Sequence, residues 1–369
     1  MILRVVTVML SMLLLWSGCG GHDFWTTSTT TSTTTNPTGA VPKFAYASNF
    51  NAGSTGSVSA YTVNSSGGAL TATASSPFTA GTGTVAVDAD SAGKFVYAAN
   101  QDGTVSAYTI NRTDGTLTAV SGSPFTAGTS PVWVAVDPGA RFVYVENGGA
   151  KTISSFAINS SNGALTPIGQ NITLAAAPIR ATVDPAGRFL YASMGTAGTA
   201  IFRINSDGTV AVVRTAPAAP CASSVAVVID ANSRFAFVAD GATGICNYAI
   251  NASTGDLVLI NSSINPSGAS VALASGANGK FLFAANKTTN NLAGFVINAD
   301  GNLTAMTGSP FSVGTSPVDV TVDPSGSFVY VANNGSNSIS ILSITSGNTL
   351  SSGTTATTGT NPSSVVVTQ

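Results

Sequence analysis

Residues 137–147 read Asp-Pro-Gly-Ala-Arg-Phe-Val-Tyr-Val-Glu-Asn, a turn that leads into a short apolar strand. Asp and Pro favour the opening of a type I turn, and the alternating Phe, Val and Tyr residues favour a strand. Outward from this stretch, residues 132–136 predict a preceding strand and residues 152–158 a following one. Asn162-Gly163 supplies hairpin chemistry before a fourth strand that opens at Leu165. The segment therefore predicts one sheet of four antiparallel strands.

The same order of strands and turns recurs seven times along the chain, and an aromatic-x-aromatic triplet marks each copy. The seven triplets begin at Phe44, Phe95, Phe142, Phe189, Phe235, Phe281 and Phe328. Their spacings are 51, 47, 47, 46, 46 and 47 residues. A period of this length with four strands per copy is typical of a β-propeller with one blade per repeat. The predicted fold is all-β, a seven-bladed β-propeller over residues 41–369.

The two ends of this region complement each other. Residues 362–368 match the first strand of a repeat, but no second strand follows them. Residues 44–73 hold the second, third and fourth strands of a repeat without a first strand before them. We therefore expect the C-terminal strand to complete the first blade, which closes the ring and removes open sheet edges.

Composition limits the classes of function. Only 8% of the residues are charged, against roughly 25% in an ordinary soluble domain, and the formal net charge is -2. The chain has no basic stripe that could follow a phosphate backbone, which argues against a nucleic-acid partner. The only histidine, His22, precedes the repeats, so a histidine-based acid-base mechanism is excluded within them. No motif with metal-ligand spacing occurs, and no cofactor is expected.

The repeat motifs resemble a known family. Tyr330-Val-Ala-Asn333, Tyr97-Ala-Ala-Asn100 and Phe283-Ala-Ala-Asn286 resemble the Tyr-Val-Thr-Asn (YVTN) repeat propellers. The Asp-Pro-x-Gly-x-Phe-x-Tyr phrase is similar to the lactonase-type seven-bladed family that includes 6-phosphogluconolactonases. The resemblance covers residues 41–369 and implies the propeller fold. It carries over no catalytic residue, because its motifs are turns and core aromatics, and fold alone does not confer function.

The N-terminal residues predict where the protein is located in the cell. Arg4, the apolar residues 5–15 and Ser17-Gly18-Cys19 resemble a bacterial lipoprotein signal, with residues 1–18 removed and Cys19 lipidated. A plain secretory signal is the alternative. Residues 19–40 would then form a Ser/Thr-rich tether, because their unbroken Ser/Thr run at residues 26–35 has no apolar side chains to bury. We expect an exported, monomeric protein that is held on the cell envelope by its lipid alone.

Candidate site residues emerge when equivalent positions of the repeats are compared. The positions at the start of the first strands are Thr84, Trp133, Arg180, Ala226, Ala272, Asp319 and Ser364. Near the end of the second strands they are Ser48, Ala99, Glu146, Ser193, Ala239, Ala285 and Ala332. Trp133, Glu146, Arg180 and Asp319 stand out, and both sets should meet at one mouth of the channel.

These four residues allow two interpretations. In a functional pocket, Arg180 would hold an anionic or carbonyl oxygen, Glu146 or Asp319 would activate water, and Trp133 would stack on a sugar ring. Alternatively, they are rim residues, with Arg180 paired to a carboxylate that lowers the cost of its burial. The aspartates at 88, 137, 184, 230 and 323 occur once per blade and are interpreted as structural turn residues.

Cys221 and Cys246 both fall in the fifth repeat. Regular strands would hold them roughly 9.6 Å apart, beyond the ~7 Å limit for a disulfide, so a bond requires a bend in the loop at residues 240–244. Without it they are two buried small hydrophobic residues.

For function, we expect mainly a binding platform for a sugar-like ligand or an envelope component at the channel mouth. The alternative is an enzyme, a hydrolase that opens a sugar lactone.

Overall fold

The computed structural model describes residues 43–216, 221, 223–241 and 244–369. The predicted signal peptide, Cys19 and the whole predicted tether lie outside these ranges. Within them, all regular secondary structure is β-strand, and no helix could cross a membrane.

The strands form seven antiparallel sheets that follow one another along the chain. Blades one to three contain β1 (Phe44–Asn49), β2 (Thr55–Val63), β3 (Leu70–Ala72), β4 (Phe78–Thr82), β5 (Thr84–Ala89), β6 (Phe95–Asn100), β7 (Thr104–Ile110), β8 (Leu117–Ala119), β9 (Phe125–Thr126), β10 (Pro131–Val136), β11 (Phe142–Asn147), β12 (Thr152–Ile158), β13 (Leu165–Pro167) and β14 (Ile172–Thr173).

The remaining strands complete the ring. They are β15 (Arg180–Val183), β16 (Phe189–Ser193), β17 (Thr199–Ile204), β18 (Val210–Ala216), β19 (Ser224–Ile229), β20 (Phe235–Asp240), β21 (Gly244–Ile250), β22 (Leu257–Ile264), β23 (Ser270–Ser275), β24 (Phe281–Asn286), β25 (Asn291–Ile297), β26 (Leu303–Ala305), β27 (Phe311–Ser312), β28 (Pro317–Val322), β29 (Phe328–Asn333), β30 (Ser338–Ile344), β31 (Leu350–Thr357) and β32 (Pro362–Thr368).

Each blade has four strand positions from the channel outward, which confirms the predicted fold. In blade three the order is β10-β11-β12-β13, with the short β14 pairing to the same third strand. Strands β4, β9 and β27 play the same part in blades one, two and six. The outermost position of these blades is therefore shared by two short strands.

The ring closes as expected from the repeat pattern. Strand β32 pairs antiparallel with β1, with Phe44 opposite Thr368 and Ser48 opposite Ser364. The chain's last strand is thus the innermost strand of blade one. Because the sheet order there is β3-β2-β1-β32, the first blade combines the two ends of the propeller sequence.

The core lies between neighbouring blades, and the triplet aromatics hold it together. Five triplet tyrosines are completely buried, and each donates its hydroxyl to a hairpin glycine carbonyl of the next blade. Tyr144 Oη, for example, lies 3.1 Å from the carbonyl oxygen of Gly208, whose φ is +83°. Blade five has Phe237 at the tyrosine position, and there Asn247 donates to Gly301 instead. Six blades are therefore fastened to the next one by packing and by one such buried hydrogen bond, and in blade six Phe283 takes the tyrosine position and packs against blade seven.

The turn aspartates stabilise the first hairpin of a blade. Asp137 accepts from the backbone amide of Phe142 at 2.8 Å, and its second oxygen pairs with Arg141 Nη2 at 2.8 Å. Asp184 and Asp230 make the same arginine pairs. The structural interpretation holds for these residues and for Asp323, whose carboxylate accepts from the amide of Phe328.

Candidate functional site

The innermost strands of the seven blades surround a central cavity of about 210 Å³. These strands are β5, β10, β15, β19, β23, β28 and β32, and each contributes at least one residue to the wall. Because side chains alternate along a strand, equivalent positions of the blades form rings around the channel. Two such rings carry the charged groups of the cavity.

The first ring contains three of the predicted site residues. Its members, defined by their pairing with the second strands, are Ala86, Trp133, Arg180, Ala226, Ala272, Asp319 and Ser364. The assignment of Thr84 to this ring was wrong: a register shift inside β5 makes Thr84 pair with Asn100 and Ala86 with Ala99. The other six positions agree with the sequence comparison.

Arg180 crosses the channel from blade four to blade seven. Its Nη1 lies 2.6 Å from Oδ1 of Asp319, and its Nη2 donates to the carbonyl oxygen of Val318 at 2.6 Å. Its guanidinium carbon stands 4.3 Å from the ring centre of Trp133, in cation–π geometry. Trp133, Arg180 and Asp319 therefore form one contiguous group, the channel triad.

Asp319 is held as the carboxylate partner of this arginine. Its second oxygen accepts from the amide of Val365 on β32 at 2.9 Å, so both oxygens have donors. Burial raises the pKa of Asp319, while Arg180 and the amide of Val365 oppose that rise. With a guanidinium in direct contact, Asp319 is better suited to orient Arg180 than to accept a proton from water.

Asp88 lies in the second ring, one layer deeper in the channel. It pairs with Tyr97 and lines the cavity, whereas the equivalent positions of the other blades are Ala135, Thr182, Val228, Ala274, Thr321 and Val366. Its Oδ2 accepts from the amide of Val136 in the next blade, and its Oδ1 from the amide of Ala89, both at 2.8 Å. Burial, with Asp319 as a neighbouring negative charge, raises the pKa of Asp88 to about 7.

The interpretation of Asp88 as a turn residue was therefore wrong. The turn residue of blade two is Asp90, which accepts from the amides of Lys94 and Phe95, both at 2.6 Å. The other turn aspartates stand five residues before the triplet phenylalanine, and Asp90 keeps that spacing whereas Asp88 does not. The spacing within Asp88-Ala-Asp90 was the signal that could have separated the two.

Glu146 does not join the channel triad, contrary to the expectation of a shared mouth. Its register partners on β10 and β12 are Trp133 and Ile153, and it lies completely buried in the apolar layer between blades three and four. Neither carboxyl oxygen has a hydrogen-bond partner among the described residues. Burial raises the pKa of Glu146 well above its usual range, which favours the uncharged form of this carboxyl over a base that faces the cavity.

Cys221 and Cys246 are joined by a disulfide, with their Cα atoms 6.4 Å apart. The distance expected for regular strands does not apply, because Cys221 precedes β19 and lies outside any strand. Tyr248 Oη stands 3.1 Å from its sulfur. The bond lies in blade five, and neither cysteine lines the channel cavity.

The cavity thus combines one guanidinium, two carboxyl groups of different character and one indole ring. The described residues contain no cluster of His, Cys, Asp or Glu that could hold a metal ion. Arg180 can donate hydrogen bonds to an oxygen that gains negative charge, and Asp88 can exchange a proton near neutral pH. A hydrogen-bond donor and a proton acceptor of this kind are the groups that the addition of water to a carbonyl group requires.

Comparison with known proteins places the chain in a family. The family model described as "Lactonase, 7-bladed beta-propeller" matches residues 40–124, 101–217 and 265–368. The chain belongs to this lactonase family. No curated protein sequence matches this lactonase-family propeller.

Solved structures resemble the lactonase-family propeller over most of its length. A candidate 6-phosphogluconolactonase from Bacteroides uniformis has a TM-score of 0.77 and 18% identity, covering 89% of this chain and 100% of that one. A similar candidate from Bacteroides fragilis has a TM-score of 0.74 and 18% identity, covering 90% and 99%. The periplasmic gluconolactonase of Pseudomonas aeruginosa has a TM-score of 0.72 and 18% identity, covering 89% and 99%. At such identity these likenesses show the fold.

Proposed function

We propose that this propeller is a lactone hydrolase that opens a sugar lactone in the channel cavity. The observation that carries the proposal is that Arg180, Trp133 and Asp319 share one small cavity with Asp88, a carboxyl group poised near neutral pH. The sequence alone favoured a binding platform. Membership of the lactonase family and the grouping of these four side chains support the enzymatic alternative instead.

The proposed chemistry assigns one role to each side chain. Asp88 takes a proton from a water molecule as the water oxygen attacks the lactone carbonyl carbon. Arg180 donates hydrogen bonds to the carbonyl oxygen, which gains negative charge in the transition state. When the ring C–O bond breaks, Asp88 returns the proton to the departing ring oxygen, and the product is the open-chain hydroxy acid. Trp133 supplies a flat apolar surface for the sugar ring.

Asp319 acts in this scheme as a positioning residue. It fixes the guanidinium through Nη1 while Val318 fixes Nη2, which leaves further N–H donors of Arg180 for the substrate. Holding the group in place before the substrate arrives reduces the cost of reorganisation during the reaction.

The test is hydrolysis of D-glucono-1,5-lactone by the purified full chain, followed by pH-stat against a buffer blank. We expect hydrolysis faster than the blank, and we expect this acceleration to be lost in Arg180→Met. The control Arg141→Met should keep it, because Arg141 lies in the turn between β10 and β11 and does not line the cavity. No acceleration, or equal rates for both variants, would overturn the proposal.

We also propose that the protein is exported and carries lipid on Cys19, on the basis of the signal pattern at residues 1–19. The intact mass of the mature protein from the membrane fraction tests this. We expect an N-terminal, acylated Cys19 and release into the soluble fraction in Cys19→Ala. An unmodified Cys19 in a soluble mature chain would favour the plain secretory signal.

A further inference from the structure

The charge inside the channel cavity carries information about the substrate. Among the residues that line the cavity, only Arg180, Asp88 and Asp319 have an acidic or basic side chain. Asp319 neutralises Arg180 at 2.6 Å, and Asp88 adds negative charge whenever it is ionised. The cavity therefore offers no uncompensated positive charge.

A phosphate monoester requires such charge. It carries between one and a half and two negative charges at about pH 7, and proteins hold it with arginine or lysine side chains, helix N-termini or clustered backbone amides. The described residues contain no helix. The two lysines in turns that follow second strands, Lys151 and Lys287, do not line the cavity. The residues at positions 217–220, 222, 242 and 243 include no Lys, Arg or His in the sequence.

Three backbone amides on the inner strands are engaged by side chains. The amide of Val136 donates to Asp88, the amide of Val365 to Asp319, and the amide of Val87 to Ser364 Oγ. These three groups line the cavity wall but are already satisfied by side chains. A phosphate would have to displace a carboxylate to reach two of them.

Size points the same way. A volume of about 210 Å³ lies below the ~300–1,000 Å³ of pockets that enclose drug-sized ligands. Its wall is mostly Val, Ala and Thr, with Trp133 on one side. Such a space fits one sugar ring that is recognised by stacking and a few hydrogen bonds.

We propose that the cavity selects a neutral, unphosphorylated sugar lactone and rejects the same lactone with a phosphate on its exocyclic carbon. The part of this inference that concerns hydrolysis rests on the proposed function. It predicts that D-glucono-1,5-lactone is a better substrate than its 6-phosphate. We expect a ratio of kcat/KM of about tenfold or more, because like charges brought together in a desolvated site repel strongly.

The experiment has a kinetic arm and a binding arm on the full chain. The kinetic arm compares both lactones. The binding arm titrates D-glucose and D-glucose 6-phosphate, which have no ester to hydrolyse, and follows the fluorescence of Trp133. The other two tryptophans, Trp16 and Trp25, precede the propeller, so Trp133→Phe identifies the signal that comes from the cavity.

A matched pair of variants tests the electrostatic cause. Thr182 lines the cavity in the same ring as Asp88. Thr182→Lys adds a cation to the wall, and Thr182→Met adds similar length without charge. We expect the lysine variant to narrow the preference for the neutral ligand by about tenfold, and the methionine variant to leave the preference unchanged.

The outcomes separate the two proposals. Turnover of the phosphorylated lactone equal to or faster than that of the neutral lactone overturns this inference and leaves the lactone hydrolase standing. Turnover of neither lactone overturns the proposed function, and the binding arm then decides the inference alone. Tighter binding of the phosphorylated sugar, or binding of neither sugar, overturns the inference.

Discussion

The propeller contains two kinds of aspartate–arginine pair, one at the turns and one in the channel. Asp137 and Arg141 are four residues apart, the pattern recurs in three blades, and about half of the arginine side chain is exposed. Arg180 and Asp319 are 139 residues apart, occur once, and lie almost entirely out of solvent. The turn pairs stabilise these three blades in the same way. The channel pair depends on the closed ring, because only closure brings blades four and seven face to face.

The two kinds of pair differ in whether their side chains recur at the same position of several repeats. A side chain that recurs at the same position of each repeat serves the blade, and the carboxylates of the turns are bound by their own hairpin amides. A side chain that departs from its equivalents is free to serve a site. Asp88 and Asp90 show this within three residues, since one lines the cavity and the other caps a turn.

The largest expected effect comes from replacing those two aspartates in parallel. Asp88→Asn should lower kcat for the lactone by about 10²–10⁴-fold, the usual contribution of a general base. Asp90→Asn should keep kcat and lower the free energy of unfolding, because the turn amides lose their carboxylate. Lactone kinetics and urea unfolding on both variants check this. Equal kcat losses would contradict the division between channel and turn.

Stability should also separate the two arginine pairs. Arg180→Met leaves the buried Asp319 without its partner and should cost about 3–5 kcal/mol of unfolding free energy. Arg141→Met removes a half-exposed partner and should cost about 1 kcal/mol or less. Urea unfolding at neutral pH measures both. Similar costs would mean that the channel pair is no more desolvated than the turn pair.

The rate should depend on the protonation of Asp88. Because the base must be ionised, kcat should fall about tenfold per pH unit below about 7 and level off above it. The folded protein binds this proton more tightly than the unfolded chain, whose ordinary pKa is 3.8, so the free energy of unfolding should decrease as pH rises from 3.8 to about 7. Asp88→Asn should remove the contribution of Asp88 to this decrease and so make it less steep, while Glu146 and Asp319, whose pKa values are also raised, keep theirs. A rate independent of pH around 7 would exclude Asp88 as the base.

Much of the fold was predictable, and the reason is redundancy. Seven copies of the turn, triplet and hairpin report the same structure, so one irregular copy does not hide the pattern. The ring closure followed from two incomplete repeats at residues 44–73 and 362–368. The short second pieces of the outer strands, such as β14, were not predicted, because two-residue strands carry no period.

The site was only partly predictable, because it consists of exceptions. Trp133, Arg180 and Asp319 stood out against their equivalents and do meet in the channel. Glu146 stood out equally, yet its side chain lies in the layer between two blades. Sequence comparison finds an unusual residue, but which surface that residue faces depends on strand direction and bulges, as the register shift in β5 also shows.

Trp133 should have a smaller effect than the charged residues. Trp133→Phe keeps an aromatic face but weakens the cation–π contact with Arg180, which is worth about 0.5–2 kcal/mol. We expect KM for the lactone to rise several-fold while kcat changes little. Steady-state kinetics with Trp133→Phe and Trp133→Leu measure this, and the leucine variant should show the larger rise. An unchanged KM in both would exclude stacking on Trp133.

The smallest effect is expected for Glu146. Because burial favours the uncharged form of its carboxyl, Glu146→Gln keeps the shape of the side chain and should leave kcat and KM within about twofold. The matched measurement is Asp88→Asn under the same conditions. A large loss of kcat in Glu146→Gln would restore Glu146 as a residue of the site and contradict its placement between the blades.

The pairing of β32 with β1 has a consequence for how the protein folds during synthesis. Thr368 and Phe44 lie side by side but are separated by 324 residues of translation, during which the edge of β1 stays unpaired. An open edge invites pairing with other chains. Strand β32 also brings the amide of Val365 to Asp319, so its docking completes the cavity as it hides the edge. A chain that loses this strand through a premature stop or a protease is therefore expected to be inactive and prone to aggregation at once.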